Sequence, residues 1–171
     1  MVMNLLDISR SEDGALTPHK VYTALDGLCT EIVEAQRIRG DAGKLALEVR
    51  VEPGLCANVD RDLLRRVIEN LLDNALRHTP PGGHVAIEAG TLTGGGFEIR
   101  VRDDGNGIPT EQRDRVFEKY SQLDASKGVA PGFNRGLGLL FCKLAVEAHE
   151  GAIRAEANHP KGTVFVIVLP G

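Results

Sequence analysis

Apolar and polar positions alternate in distinct rhythms along this chain. From Val21 the apolar residues recur at Val21, Leu25, Leu28, Ile32 and Ala35, one face of a helix that "RGDAG" (39–43) ends. "LALEVRV" (45–51) alternates like a half-buried strand, Pro53 and Gly54 turn the chain, and "LCANV" (55–59) is a second short strand. Asp60 stands where a helix N-cap belongs. The helix after it carries Leu63, Leu64, Val67, Ile68, Leu71, Leu72, Ala75 and Leu76. It is apolar over much of its circumference, so most of it is buried. "TPPGG" (79–83) stops it. "HVAIEA" (84–89) and "FEIRVRD" (97–103) then form a hairpin around Gly94–Gly96.

"DDGNGIP" (103–109) is a loop and "TEQRDRVFEKY" (110–120) a short polar helix. "SQLDASKGVAPGFNR" (121–135) has two glycines, a proline and little periodicity, which predicts a mobile loop. "GLGLLFCKLAVEAHEG" (136–151) is a helix with an apolar face, ended by Gly151. "AIRAEAN" and "TVFVIVLP" are strands joined by "HPKG". The pattern predicts an α+β two-layer sandwich: a mixed, mostly antiparallel sheet with helices on one face. The other sheet face is expected to be more polar, or covered by a further part of a parent protein. "MVMNLLDISRSEDG" reads as the last turns of a helix with no start of its own, stopped near Gly14. The expected division is therefore residues 1–15 as a helical remnant and 16–171 as the main domain of a fragment.

Composition narrows the classes. Among 171 residues, 42% are hydrophobic and 26% charged, ordinary for a soluble globular domain that needs no disulfide or structural metal. A net charge of −4 lacks the basic footprint of a nucleic-acid binder. No apolar run approaches the ~20 residues of a membrane span, and the acidic, short N-terminus is no signal peptide. Cys29, Cys56 and Cys142 are odd in number and widely spaced, so they read as buried free thiols in a reducing, cytoplasmic setting. "HEG" at His149 lacks the second histidine of a zinc helix.

Candidate chemistry sits in two glycine clusters and one helix face. "DDGNGIP" follows a strand; "NRGLGLL" (134–140) opens a helix, where Gly136 and Gly138 leave backbone N–H groups for an anion. Neither is a Walker loop or a dinucleotide fingerprint. Asn70, Asn74 and Arg77 lie at i, i+4 and i+7 and share a helical face. An asparagine oxygen is a neutral ligand for Mg²⁺ where a carboxylate would repel phosphates, and Arg77 could then reach a phosphate. The bland alternative is that both asparagines cap loops or bond to neighbouring backbone.

The ordered boxes "ENLLDNALRHTPPGG", "VRDDGNGIP", "VFEKY" and "NRGLGLL" resemble the catalytic ATP-binding domain of sensor histidine kinases. That family shares a superfamily with gyrase B, heat-shock chaperone ATPases and the MutL mismatch-repair proteins. The resemblance runs from about Val21 to the C-terminus. It implies that Asn74 coordinates Mg²⁺ and that Asn70 supports the triphosphate side of the site. It implies that Asp103 accepts a hydrogen bond from the adenine amino group while Gly105 and Gly107 let the backbone pass close to the base. Phe117 anchors a lid, roughly Ser121–Arg135, and Gly136 and Gly138 wrap the phosphates. Lys119, Lys127 and Arg135 are candidate phosphate contacts. Ile108, Tyr120, Leu137 and Leu139 lie inside the same boxes and join the nucleotide-contacting set. His78 stands where the family often has Tyr, and is either an edge contact to the nucleotide or an ordinary surface histidine. The last glycine box departs at Asn134, a residue that tolerates left-handed backbone, and Gln122 falls where an Arg is common.

ATP-hydrolysing relatives place a water-activating Glu four residues before the Mg²⁺ asparagine. Here that position is Asn70, and Glu69 is rotated by about 100° around the helix. The resemblance thus implies a site that holds ATP for phosphoryl transfer to a protein histidine rather than for hydrolysis. The family's acceptor histidine lies on an upstream helical hairpin, whose last turns "NLLDISRSEDGAL" resembles; His19 does not match the acceptor motif. Expected partners are ATP, that hairpin domain and, through it, a response regulator. Contact with nucleic acid or membrane is not expected; the fragment is expected to be mainly monomeric and its parent homodimeric. Two alternatives stay open: a nucleotide-binding or degenerate pseudokinase module that regulates by docking, and an anti-sigma-type serine kinase of the same fold.

Overall fold

The computed structural model of the chain describes residues 16–118 and 137–171. In chain order the elements are β1 (Val21–Ala24), α1 (Leu25–Gly43), β2 (Ala46–Val51), β3 (Cys56–Val59), α2 (Arg61–His78), β4 (His84–Thr91) and β5 (Phe97–Asp103). Two 3-10 turns follow, Thr110–Gln112 and Arg115–Phe117, and then α3 (Leu137–Ala148), β6 (Ala152–Ala157) and β7 (Thr163–Leu169). Five strands form one sheet in the order β2-β4-β5-β7-β6, with β1 and β3 in a separate two-stranded ribbon. β2 runs parallel to β4 and every other pairing in the large sheet is antiparallel. This is the expected α+β layer architecture.

The layers follow from residue alternation. On one face of the sheet, Leu47, Val85, Ile87, Ile99, Val101, Phe165 and Ile167 meet the helices, and most of these are fully buried. α1 packs on β2, α2 on β4 and β5, and α3 on β6, with α2 between the other two helices. The opposite face carries charge. Arg50 pairs with Glu48 and Glu88, Arg102 with Glu88, and Arg154 with Glu156. Between Arg100 and Arg154 in register sits Val166, 0% exposed. Long aliphatic stems of such flanking residues cover apolar surface, and the Arg100 and Arg154 side chains are 40% and 49% exposed.

Local chemistry sets the helix ends. Asp60 caps α2 as expected, with Oδ1 accepting from the N–H groups of Asp62 at 3.1 Å and Leu63 at 3.0 Å. Three expectations need correction. Val21–Ala24 is a strand, because these residues pair with Cys56–Val59 across the ribbon, a partner that helical spacing does not reveal. "RGDAG" is the last turn of α1, which ends where Lys44 adopts φ 55°. Gly40 is tolerated there because a Cβ would lie 2.7 Å from Leu47 Cδ1, so its absence lets α1 sit close on β2. "TEQRDRVFEKY" is no single helix; within its described part it makes two 3-10 turns.

Candidate functional site

Asp103 ends the central strand β5 and is 3% exposed. Its Oδ1 accepts from the N–H of Gly105 at 2.8 Å and from the N–H of Thr163 at 3.2 Å. Among the described residues no group donates to Oδ2. Burial pushes the carboxyl above its ordinary range, and Asp104 adds to this; the two N–H groups and His78 pull the other way. The result is a carboxylate with one oxygen fixed by the fold and one left to meet a donor.

The backbone around Asp103 is held from three sides. Asn158 Nδ2 donates to the Asp103 carbonyl at 2.9 Å and to Asp104 Oδ1 at 3.3 Å, while Arg102 donates to Asn158 Oδ1 at 2.9 Å. Gly162 has φ 115°, and a Cβ there would lie 1.8 Å from the Asp103 carbonyl oxygen. A Cβ on Gly105 would lie 2.9 Å from the carbonyl oxygen of His78, so the loop after β5 nests against the end of α2. Gly107, at φ 75°, comes close to Gly162 in the same way. Ile108 is half-buried against the core, and its carbonyl accepts from Arg113 Nε at 3.0 Å.

α2 presents the asparagines. Asn70 and Asn74 are half-buried. Asn70 Nδ2 donates to the Arg66 carbonyl at 2.8 Å, and its Oδ1 lies 3.1 Å from where a Gly138 Cβ would stand. The second glycine of "GLG" therefore lets the first turn of α3 close on Asn70. Arg77 is exposed and donates to Asp73 Oδ2 at 2.5 Å, while Asp73 also holds Arg39 at 2.7 Å. His78 is exposed. Phe117 is 4% exposed and meets Phe165 edge-on, ring centroids 6.1 Å apart. Leu137 is buried and Leu139 half-buried at the start of α3. Lys119, Tyr120, Gln122, Lys127, Asn134, Arg135 and Gly136 lie outside the described residues.

The fold thus brings Asp103, Gly105, the end of α2, Asn70 and Gly138 into one continuous region. Asn158, Gly162 and Thr163 belong with it, and sequence reasoning missed them. "NHPKGT" looks like an ordinary connection between strands; a glycine-threonine pair heading an apolar strand was the one available signal. Among the described residues no three His, Cys, Asp or Glu side chains could together hold a metal ion. The donors present fit a cation such as Mg²⁺, which takes few protein ligands and keeps water and phosphate oxygens.

Comparison with known proteins agrees with this fold. Residues 59–171 match the family described as histidine kinase-, DNA gyrase B- and HSP90-like ATPase. The adaptive-response sensory kinase SasA of Trichormus variabilis is 32% identical over 99% of this chain and 42% of its own length. The mycobacterial sensor histidine kinase MprB superposes with a TM-score of 0.73 at 34% identity, over 89% of this chain and 97% of the solved one. Full-length ShkA in complex with AMPPNP shares the fold, with a TM-score of 0.85 at 23% identity over 98% of this chain and 35% of its own. The chain spans under half the length of the curated relatives it matches. It therefore belongs to the histidine kinase-, DNA gyrase B- and HSP90-like ATPase family, as the ATP-binding catalytic domain of a sensor histidine kinase.

Proposed function

We propose that this domain binds ATP with Mg²⁺ and delivers the γ-phosphoryl group to a histidine on an upstream helical domain, from which a response regulator is served. The observation that carries this reading is the half-satisfied Asp103 carboxylate. Oδ1 is occupied by Gly105 and Thr163, and Oδ2 is left to accept from an exocyclic amino group such as that of adenine. Gly105 and Gly107 give the base room. Asn74 supplies a metal ligand, and Asn70, fixed through the Arg66 carbonyl, faces the start of α3. Arg77, and Lys119, Tyr120, Lys127, Arg135 and Gly136 beyond the described residues, are assigned to the phosphates. Leu137, Leu139, Ile108 and Phe117 wall the site, with His78 at its edge.

A bound Mg²⁺ supplies charge neutralisation on the polyphosphate. In the transfer the bond between the γ-phosphorus and the bridging oxygen breaks, leaving ADP, as a bond forms to an imidazole nitrogen of the acceptor. The chain's own contribution is to position and to spare the nucleotide. Asn70 stands where a general base would activate water, and an amide cannot take that proton. The solved complex of ShkA with AMPPNP supports a nucleotide in this fold. We assign residues 1–15 to the end of the helical domain and 16–171 to the catalytic unit, which acts as a monomer alone and within a homodimer in the parent. Among the described residues no helix is long and apolar enough to cross a membrane; we place the domain in the cytoplasm.

Calorimetry with ATP and Mg²⁺ tests the site. Micromolar to sub-millimolar binding, lost in Asp103→Asn and weakened in Asn74→Asp, is the expected result. A chain extended upstream to the helical hairpin should then form acid-labile phosphohistidine. Intact ATP binding with no phosphohistidine in the extended chain would favour a regulatory docking role instead.

A further inference from the structure

All four hydrogen-bonding positions of the Asn158 side chain are taken. Its Oδ1 accepts from Arg102 Nη2 at 2.9 Å and from the His159 N–H at 3.0 Å. Its Nδ2 donates to the Asp103 carbonyl at 2.9 Å and to Asp104 Oδ1 at 3.3 Å. Two donors on one side and two acceptors on the other leave the amide a single orientation. The residue is 7% exposed, so the network is shielded from water. Arg102 is itself paired with Glu88 at 3.4 Å.

This amide sits where β5 ends. Asp103 is the last residue of β5, and its register partner Thr163 is the first of β7. The Thr163 N–H holds the Asp103 side chain at Oδ1, while Asn158 holds the carbonyl of the same residue. The Asn158 N–H closes its turn on the Gly162 carbonyl at 3.0 Å, and a Cβ on Gly162 would strike the Asp103 oxygen. One short turn thus supplies that oxygen with both a donor and the room it needs. Both oxygens of Asp104 are engaged as well, Oδ1 by Asn158 and Oδ2 by the His84 N–H at 3.0 Å.

We infer that Asn158 is a positioning residue for base selection: it fixes the peptide after Asp103 and, through it, the direction in which Oδ2 faces the base. This deepens the nucleotide reading proposed above and rests on it. Fixing the carbonyl fixes the bond from which the Asp103 side chain springs. The N–H groups of Gly105 and Thr163 then hold the remaining torsions at Oδ1. Oδ2 is left at one point in space. An amino group of the base donates to it there, whereas a base with a carbonyl in that place sets oxygen against carboxylate. Hydrogen bonds weaken steeply with misalignment, so selection between the two bases is only as sharp as the placement of Oδ2.

Calorimetry with Mg²⁺ and either ADP or inosine diphosphate, which carries a carbonyl in place of the adenine amino group, reads this directly. The unmodified chain should prefer ADP. Asn158→Ala removes all four contacts. Asn158→Asp keeps acceptors for Arg102 and the His159 N–H but sets an oxygen against the Asp103 carbonyl. In each variant ADP should weaken roughly tenfold and inosine diphosphate by less than about twofold, so the preference falls about fivefold or more. A merely structural role would weaken both nucleotides alike. Equal losses, an unchanged preference, or no preference in the unmodified chain would overturn the inference. Thermal unfolding without nucleotide checks that each variant is folded. Should neither fold, proton NMR of the nitrogen-labelled unmodified chain decides. The Asn158 Nδ2 protons should exchange slowly with solvent and shift on adding ADP but not inosine diphosphate. Exchange as fast as that of an exposed asparagine, or the same shift with both, overturns it. In every case ADP binding that Asp103→Asn abolishes keeps the nucleotide site standing. Failure of the unmodified chain to bind either nucleotide overturns both readings.

Discussion

His149 and Asp60 join the end of one helix to the start of another: the Asp60 N–H donates to His149 Nε2 at 2.9 Å. On its other side, Nδ1 lies 2.7 Å from the Ala145 carbonyl oxygen. With Nε2 accepting, Nδ1 must carry the proton, so both ring nitrogens are used by one tautomer. The ring is 4% exposed, between α3 and the cap of α2.

His149→Ala should therefore destabilise the domain by about 2–3 kcal/mol, the cost of stranding the Asp60 N–H and leaving a void. Urea unfolding measures it. A change under ~0.5 kcal/mol would mean that water replaces the ring at no cost.

Asp103→Asn keeps an oxygen for Gly105 and Thr163 and turns the other acceptor into a donor. Nucleotide affinity should drop at least ~10-fold, the cost of facing donor with donor. Stability should not drop with it. Burial raises the Asp103 carboxyl, so the folded state holds that proton more tightly than the unfolded chain. The charged form then costs stability as pH rises from the ordinary carboxylate range through the raised one, and the cost is constant above it. Unfolding free energies of the two proteins, followed upward from acid, should shift in favour of the Asn variant across that window. A shift the opposite way would show that the two N–H groups outweigh burial.

Gly162→Ala should be far worse than Gly54→Ala, although both glycines have positive φ. At Gly54 a Cβ meets nothing within 4 Å, so only backbone strain of about 1–2 kcal/mol is expected. At Gly162 the added carbon would lie 1.8 Å from the Asp103 carbonyl oxygen, which no rotamer change relieves. A loss above ~3 kcal/mol, with weakened nucleotide binding, is expected because the loop must move. Thermal melts of the two variants side by side decide this; equal losses would refute it.

Thiol labelling at pH 8 should strike Cys56 first. Cys29 and Cys142 are fully buried, whereas Cys56 is half-buried. Burial pushes the Cys29 thiol up to about 12 and the Cys142 thiol still higher, so neither supplies thiolate. One fast equivalent and two that await unfolding is the expected trace with a chromogenic disulfide.

Much of this was legible in the chain. The cap at Asp60, the apolar sides of α2, the β4–β5 hairpin and the stop at Gly151 are local signals, and each stands where the periodicity put it. So did the shared face of Asn70 and Asn74. The failures were non-local. Val21–Ala24 continues a helical spacing, but its partner lies beyond a helix and a strand at Cys56–Val59. Asn158, Gly162 and Thr163 converge on Asp103 from more than fifty residues away, through pairing of β5 with β7. The cysteines were read as uniformly buried; Cys56 sits on the small ribbon, where one side faces solvent.

That ribbon also has a mechanical meaning. The chain leading into β1 is fastened at His19, whose N–H donates to Asp60 Oδ2 at 2.8 Å, and at Lys20, which pairs with Glu150 at 3.1 Å. Beyond these lie four ribbon pairs, from Val21↔Val59 to Ala24↔Cys56. Tension on the incoming chain would peel these bonds in sequence while the five-stranded sheet stayed unloaded. The first of these polar ties to feel the pull is at the head of α2, so force applied upstream loads the cap of the helix that carries Asn70 and Asn74.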